Sequence, residues 1–188
     1  MSVQRLPPPS SLGAALRTGA ATRYHTYLPS PVGDLLVTGD GEALTGLYLL
    51  RDRSVGAPDP ASRRDSGPFR AAADQLKAYF AGERIAFDLA LAPRGTPFQL
   101  RVWQALLSIA YGRTASYRTV AIWIGSPGGQ RAVGRANGMN PISIVVPCHR
   151  VIGSDGNLTG YASGIERKRW LLLHEARHVD LAVAGADR

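Results

Sequence analysis

The 188-residue sequence contains one cysteine, Cys148, set in Pro147-Cys148-His149-Arg150-Val151-Ile152. A thiolate is the nucleophilic form of cysteine, and an adjacent base and positive potential favour it. Here His149 offers the base and Arg150 the charge. A solitary cysteine is more often an inert buried residue, so the case for reactivity rests on those neighbours. Adjacent side chains of an extended strand point to opposite faces, so Cys148 and His149 can cooperate only across a turn or through a bridging water. A base also needs an orienting carboxylate, and the second half of the chain offers Asp155, Glu166, Glu175, Asp180 and Asp187. Glu175, which ends the apolar ridge Trp170, Leu171, Leu173 and His174, is the one expected to turn inward toward His149. A single cysteine excludes an internal disulfide and a multi-cysteine zinc site, and neither metal nor cofactor is expected.

Charge indicates the class of partner. The net charge is +8, and of the 22 basic residues all but Lys77 and Lys168 are arginine. Residues 89–154 contain no Asp or Glu, yet carry Arg94, Arg101, Arg113, Arg118, Arg131, Arg135 and Arg150. A planar, bidentate cation suits phosphate, so this stretch reads as a nucleic-acid footprint. Hydrophobic residues make up 45% and charged residues 19%, which excludes a disordered chain. No run approaches the roughly 18 apolar residues of a membrane span, so a soluble, cytoplasmic protein with no membrane partner is expected.

The elements that would position these residues fall into two halves. Residues 1–22 read as a disordered lead, 23–92 as an α+β domain, 93–177 as the domain carrying charge and cysteine, and 178–188 as a tail. Alternation in Tyr24–Leu28, Asp34–Thr38 and Leu44–Leu50 predicts a three-stranded meander. Residues 51–67 read as a loop, 69–80 as a helix with Ala73, Leu76, Ala78, Tyr79 and Phe80 on its apolar side, and Ala86–Leu91 as one more strand. In the second half Thr96 and Pro97 open a helix over 98–109. Ser116 caps a helix over 117–124, Gly125 to Gly129 stop it, and a third helix runs over 130–139. This is a helix-turn-helix. The third helix exposes Gln130, Arg131 and Arg135 among small residues, which favours a shallow groove and phosphate contacts over a base code. The β-branched run Ile142–Val146 predicts a buried strand leading to Cys148.

The cysteine motif, preceded by Asn140-Pro141 and Arg131-Ala132-Val133-Gly134 and followed by Thr159-Gly160-Tyr161 and Lys168-Arg169-Trp170-Leu171-Leu172, resembles the O6-alkylguanine-DNA alkyltransferase family over about residues 24–176. The resemblance implies an α/β (α+β) fold: a small ribonuclease-H-like N-terminal domain and a helical C-terminal domain with a winged helix-turn-helix. It implies minor-groove docking on double-stranded DNA, rotation of the damaged guanine out of the stack, and irreversible transfer of its O6 alkyl group to Cys148 by a monomer. O4-alkylthymine stays open as a second lesion. Within that family's pattern His149 is the base acting through a water, Glu175 its orienter, Asn140 the brace of the turn, and Tyr117 the donor to the guanine ring. Arg131 would fill the space of the extruded base. Ser116, Ala132, Gly134, Arg135, Val151, Tyr161, Ala162 and Ser163 complete the expected DNA and base contacts, with the Cys148 and Val151 carbonyls reading the exocyclic amine.

Some positions depart from the family pattern. Arg113 and Arg118 stand where Glu and Gly are common, Arg135 is bulkier than usual, and Ser163 replaces a glycine after the pocket tyrosine, which narrows the pocket. Two other readings compete. One is a helix-turn-helix regulator whose cysteine is incidental; the other is a cysteine hydrolase, for which the sequence signals no oxyanion hole.

Overall fold

A computed structural model describes residue 16, residues 21–50 and residues 58–179. The expected disordered lead and the tail therefore lie largely outside the described residues. The meander forms as β1 (Tyr24–Leu28), β2 (Leu35–Gly39) and β3 (Leu44–Leu49), all antiparallel, with Tyr24 opposite Gly39 and Leu35 opposite Leu49. A two-residue strand β4 (Arg63–Arg64) pairs parallel to β1, giving the order β3-β2-β1-β4. It falls in the stretch expected to be loop. Its two exposed arginines carry no apolar alternation, and it is held by pairing to β1 and by guanidinium contacts with the rings of Tyr24 and Tyr27 at 5.2 and 5.7 Å.

Helix α1 (Arg70–Phe80) lays Ala72, Leu76 and Tyr79 into the core with Leu35, Val37, Leu47 and Leu49 of the sheet. The buried stripe starts at Ala72, not Ala73, because the i, i+4, i+7 spacing runs through Leu76 and Tyr79.

The outer edge of β3 joins the two halves. Leu44 N donates to Ala90 O at 2.8 Å while Ala92 N donates to Leu44 O at 2.8 Å; Leu47 N donates to Pro141 O at 2.7 Å while Ser143 N donates to Leu47 O at 2.9 Å. Each is a single parallel bridge, so the strands expected over Ala86–Leu91 and Ile142–Val146 do not form. In the first, the Gln75 side chain takes both the N–H and the carbonyl of Asp88, each at 2.8 Å, and so removes ladder groups. In the second, Ile144 has φ 71° and the chain turns at once. A β-branched residue in that region is strained, which marks the segment as held by its surroundings.

The second half is helical. α2 (Pro97–Leu106) opens on a Thr96/Gln99 capping box, and Ser116 caps α3 (Tyr117–Trp123) by accepting from Thr119 N at 3.0 Å. α3 and α4 (Gln130–Gly138) form the helix-turn-helix and rest on α2, where Trp103 Nε1 donates to Ala136 O at 2.9 Å. The short parallel pair β5 (Ala115–Ser116) and β6 (Val151–Ile152) and the helix α5 (Ile165–Arg177) close the domain. Val102, Leu106, Val120, Val133, Val146, Val151 and Leu171 continue the core of the first half without a break.

Candidate active site

Asn140 shapes the approach to the cysteine. Its Oδ1 accepts from Ile142 N at 3.0 Å, and its Nδ2 donates to Val146 O at 2.8 Å and Ile142 O at 3.4 Å. One side-chain amide thus replaces the strand partners that Ile142–Val146 would otherwise need. The chain then makes a 3-10 turn at Cys148–Arg150, one of the two arrangements that would let Cys148 and His149 cooperate.

Both side chains are buried, Cys148 at 3% exposure and His149 at 0%. His149 Nε2 donates to Glu175 Oε1 at 2.7 Å, since an ionised carboxylate can only accept. Glu175, at 0% exposure, also accepts from Tyr79 OH at 2.9 Å, Gly112 N at 3.1 Å, Arg150 Nε at 2.9 Å and Arg150 Nη2 at 3.0 Å. Burial pushes its carboxyl up, but His149 and Arg150 outweigh burial and hold it well below the usual carboxylate range. Burial pulls the His149 imidazole below 6.5 against the opposing effect of Glu175, so the ring is neutral. With Nε2–H committed to Glu175, the buried Nδ1, which has no hydrogen-bond partner, carries the lone pair.

Arg150 does not serve the thiol. Its guanidinium is buried on Glu175 and donates from Nη1 to Ile109 O at 2.6 Å. A carboxylate two helical turns beyond Lys168 claims it, so the positive potential expected from Arg150 is neutralised. The cation that acts on Cys148 is Lys168, completely buried, whose Nζ donates to Val151 O at 2.6 Å and Thr159 O at 3.0 Å. Burial lowers the Lys168 ammonium to about 8, with the Cys148 charge pulling it back up. Burial holds the Cys148 thiol above its ordinary value, and the Asn140 amide, the Lys168 charge and the Tyr161 hydroxyl offset only part of that rise. Sequence reasoning gave Lys168 no role. The available signal was its place with Leu171 and Glu175 at i, i+3 and i+7 on the buried stripe of α5, alongside His174. Leu173, expected on that stripe, is 50% exposed because it lies off this spacing.

The remaining expected residues divide into two groups. Tyr117 is half-buried and its hydroxyl donates to Thr159 O at 3.1 Å; burial raises its phenol. Gly134 sits against the Tyr117 ring, where an added Cβ would lie 3.6 Å away. The Tyr161 hydroxyl is buried beside the sulfur and Ser143. The Cys148 carbonyl accepts from Asn137 Nδ2 at 3.3 Å and from Val151 N, and the Val151 carbonyl accepts from Lys168 Nζ at 2.6 Å. Ala162 is exposed and Ser163 half-buried, on a cavity of about 400 Å³ also bounded by Asn140 and Ser143. Ser116 is used as the cap of α3. On α4 the side chains of Arg131, Ala132 and Arg135 are exposed, and so are Arg94, Arg101, Arg113 and Arg118. Of the seven arginines in the acid-free stretch only Arg150 points inward.

Two family models match the chain. The one described as 6-O-methylguanine DNA methyltransferase, ribonuclease-like domain, matches residues 23–93, and the one described as its DNA binding domain matches residues 97–177. A methylated-DNA--protein-cysteine methyltransferase of Mycobacterium tuberculosis is 53% identical over 154 residues, covering 79% of this chain and 90% of the relative. One from Methanosarcina barkeri is 48% identical over 157 residues, covering 83% and 99%. Among solved structures, Mycobacterium tuberculosis OGT in complex with DNA superposes with a TM-score of 0.73 at 52% identity, covering 82% of this chain and 94% of that one. The O6-methylguanine methyltransferase of the same organism gives 0.76 at 50% identity, covering 84% and 94%.

Proposed function

The chain belongs to the 6-O-methylguanine DNA methyltransferase family, and on that premise we propose that it repairs double-stranded DNA by moving the O6 alkyl group of a guanine onto Cys148. The observation that carries this reading is the single cysteine followed in the chain by a neutral imidazole that a buried, ionised glutamate orients.

The exposed arginines of α3 and α4 hold the duplex through its phosphates, and Arg131, at the start of α4, enters the space of the extruded base. In the transfer step the Cys148 thiol gives its proton to His149 Nδ1 through a water. The sulfur then attacks the alkyl carbon; the S–C bond forms as the C–O6 bond breaks, and the electron pair of that bond leaves on the guanine. Tyr117 releases Thr159 O and donates to the ring, which stabilises the departing anion. Asn140 holds the turn, Lys168 favours the sulfur anion, and the Val151 carbonyl, with the Cys148 carbonyl sharing its Asn137 contact, accepts from the exocyclic amine. A thioether has no easy leaving group, so each molecule acts once.

As a DNA-repair protein it is placed by this reading in the cytoplasm, on the nucleoid when bound, as a monomer. Among the described residues no helix is long and apolar enough to cross a membrane. No observation favours the regulator or the hydrolase. Cys148→Ala is the variant that separates them: transfer from O6-methylguanine DNA is expected to vanish while DNA binding persists. Residual transfer by that variant refutes the assignment.

A further inference from the structure

The cavity of about 400 Å³ is lined by Tyr48 and Leu50 from the N-terminal half and by Ala162 and Ser163 from the C-terminal half. Asn140 and Ser143 bound it as well, and they connect it to the nucleophile: the Asn140 amide acts on the sulfur, and the Tyr161 hydroxyl faces both Ser143 and the sulfur. An alkyl group larger than methyl, carried on a guanine facing Cys148, has this space to enter.

One side chain ties these two lining segments together. Arg167 Nη2 donates to Leu50 O at 2.7 Å and its Nη1 donates to Ser163 O at 3.3 Å. Among the described residues no carboxylate pairs with this guanidinium, so its donors serve backbone carbonyls from segments more than a hundred residues apart. Gly33 leaves room for it: the turn there has φ +102°, and a Cβ would lie 2.9 Å from Arg167 Nη2. The charge of Arg167 is also felt at the Tyr161 hydroxyl.

We infer that Arg167 is a positioning residue for the transfer reaction: by holding Ser163 against Leu50 it fixes the width of the cavity beside Cys148, and so sets which O6 substituents are accepted. This rests on the alkyl-transfer reading. Without the tie, the loop carrying Tyr161, Ala162 and Ser163 moves away from β3. Methyl transfer then loses alignment, while a bulky substituent gains space.

The test compares single-turnover transfer to the full-length protein from O6-methylguanine DNA and from O6-benzylguanine DNA, with thermal unfolding and DNA affinity measured in parallel. Arg167→Ala should slow methyl transfer at saturating DNA by about tenfold, the size expected for one charge-assisted contact. The benzyl-to-methyl rate ratio should rise by about threefold or more, since misalignment penalises the smaller group most. Arg167→Lys keeps the charge but cannot bridge both carbonyls, and should shift the ratio in the same direction by less; it carries the test if the alanine variant does not fold. An unchanged ratio in the folded variants, whether both rates fall together or neither moves, overturns the inference. A wild-type protein that accepts neither group overturns the alkyl-transfer reading instead.

Discussion

Glu175 Oε1 lies 2.7 Å from His149 Nε2 with both side chains at 0% exposure, and the same carboxylate takes two hydrogen bonds from Arg150. The charge of Glu175 is therefore balanced by Arg150, not by His149, which leaves the imidazole neutral and able to take a proton. Helix α5 carries the carboxylate into the core, and Tyr79, Gly112, His149 and Arg150 from other elements satisfy it there.

Glu175→Gln keeps the shape but strands the buried Arg150 charge. Removing one partner of a buried ion pair costs about 3–5 kcal/mol, so a large fall in Tm is expected, together with a slower transfer in whatever protein remains folded. Chemical denaturation and single-turnover rates check both. A variant as stable as the wild type contradicts the buried ion pair.

The pH dependence follows from His149. Its folded-state value lies below 6.5, so the neutral base persists as the pH drops through 6.5 and is lost only at lower pH. The acid limb of the transfer rate should accordingly sit below pH 6.5. Folding stability should decline in the same direction: below 6.5 the unfolded chain binds a proton that the buried ring resists. A rate profile whose acid limb lies at or above 6.5 would remove His149 as the base.

Much of this was legible in the sequence. Thr96, Pro97 and Ser116 marked helix starts because capping is local chemistry, and the meander showed in its alternation. The inward turn of Glu175 could be read from its place on α5, and the turn at Cys148 was one of two arrangements the sequence left open, the other being a bridging water. What was hidden depends on partners distant in sequence. Gln75 and Asn140 spend side-chain amides on backbone groups and so dissolve two expected strands. Arg150 and Lys168 exchange their expected importance because one meets Glu175 and the other meets Val151 O and Thr159 O. Charge alone does not say which cation a fold will neutralise.

Arg131 is exposed at the start of α4 and is proposed to enter the duplex. Arg131→Ala should slow base extrusion, and hence transfer, by about a hundredfold, corresponding to the few kcal/mol of unstacking it offsets. Affinity for undamaged duplex should change much less, because the other exposed arginines still contact phosphate; in both proteins it should fall steeply with salt. Stopped-flow fluorescence of a base analogue at the lesion separates extrusion from binding. Equal extrusion rates in the two proteins would assign Arg131 to phosphate contact alone.

Intact-mass spectrometry after incubation with an O6-methylguanine oligonucleotide addresses the central claim most directly. The protein should gain the mass of one CH2, mapped by peptide fragmentation to Cys148, in an amount that never exceeds the protein present, while the guanine is restored. An unmodified Cys148 beside a repaired oligonucleotide, or repair of more lesions than there are protein molecules, would contradict it.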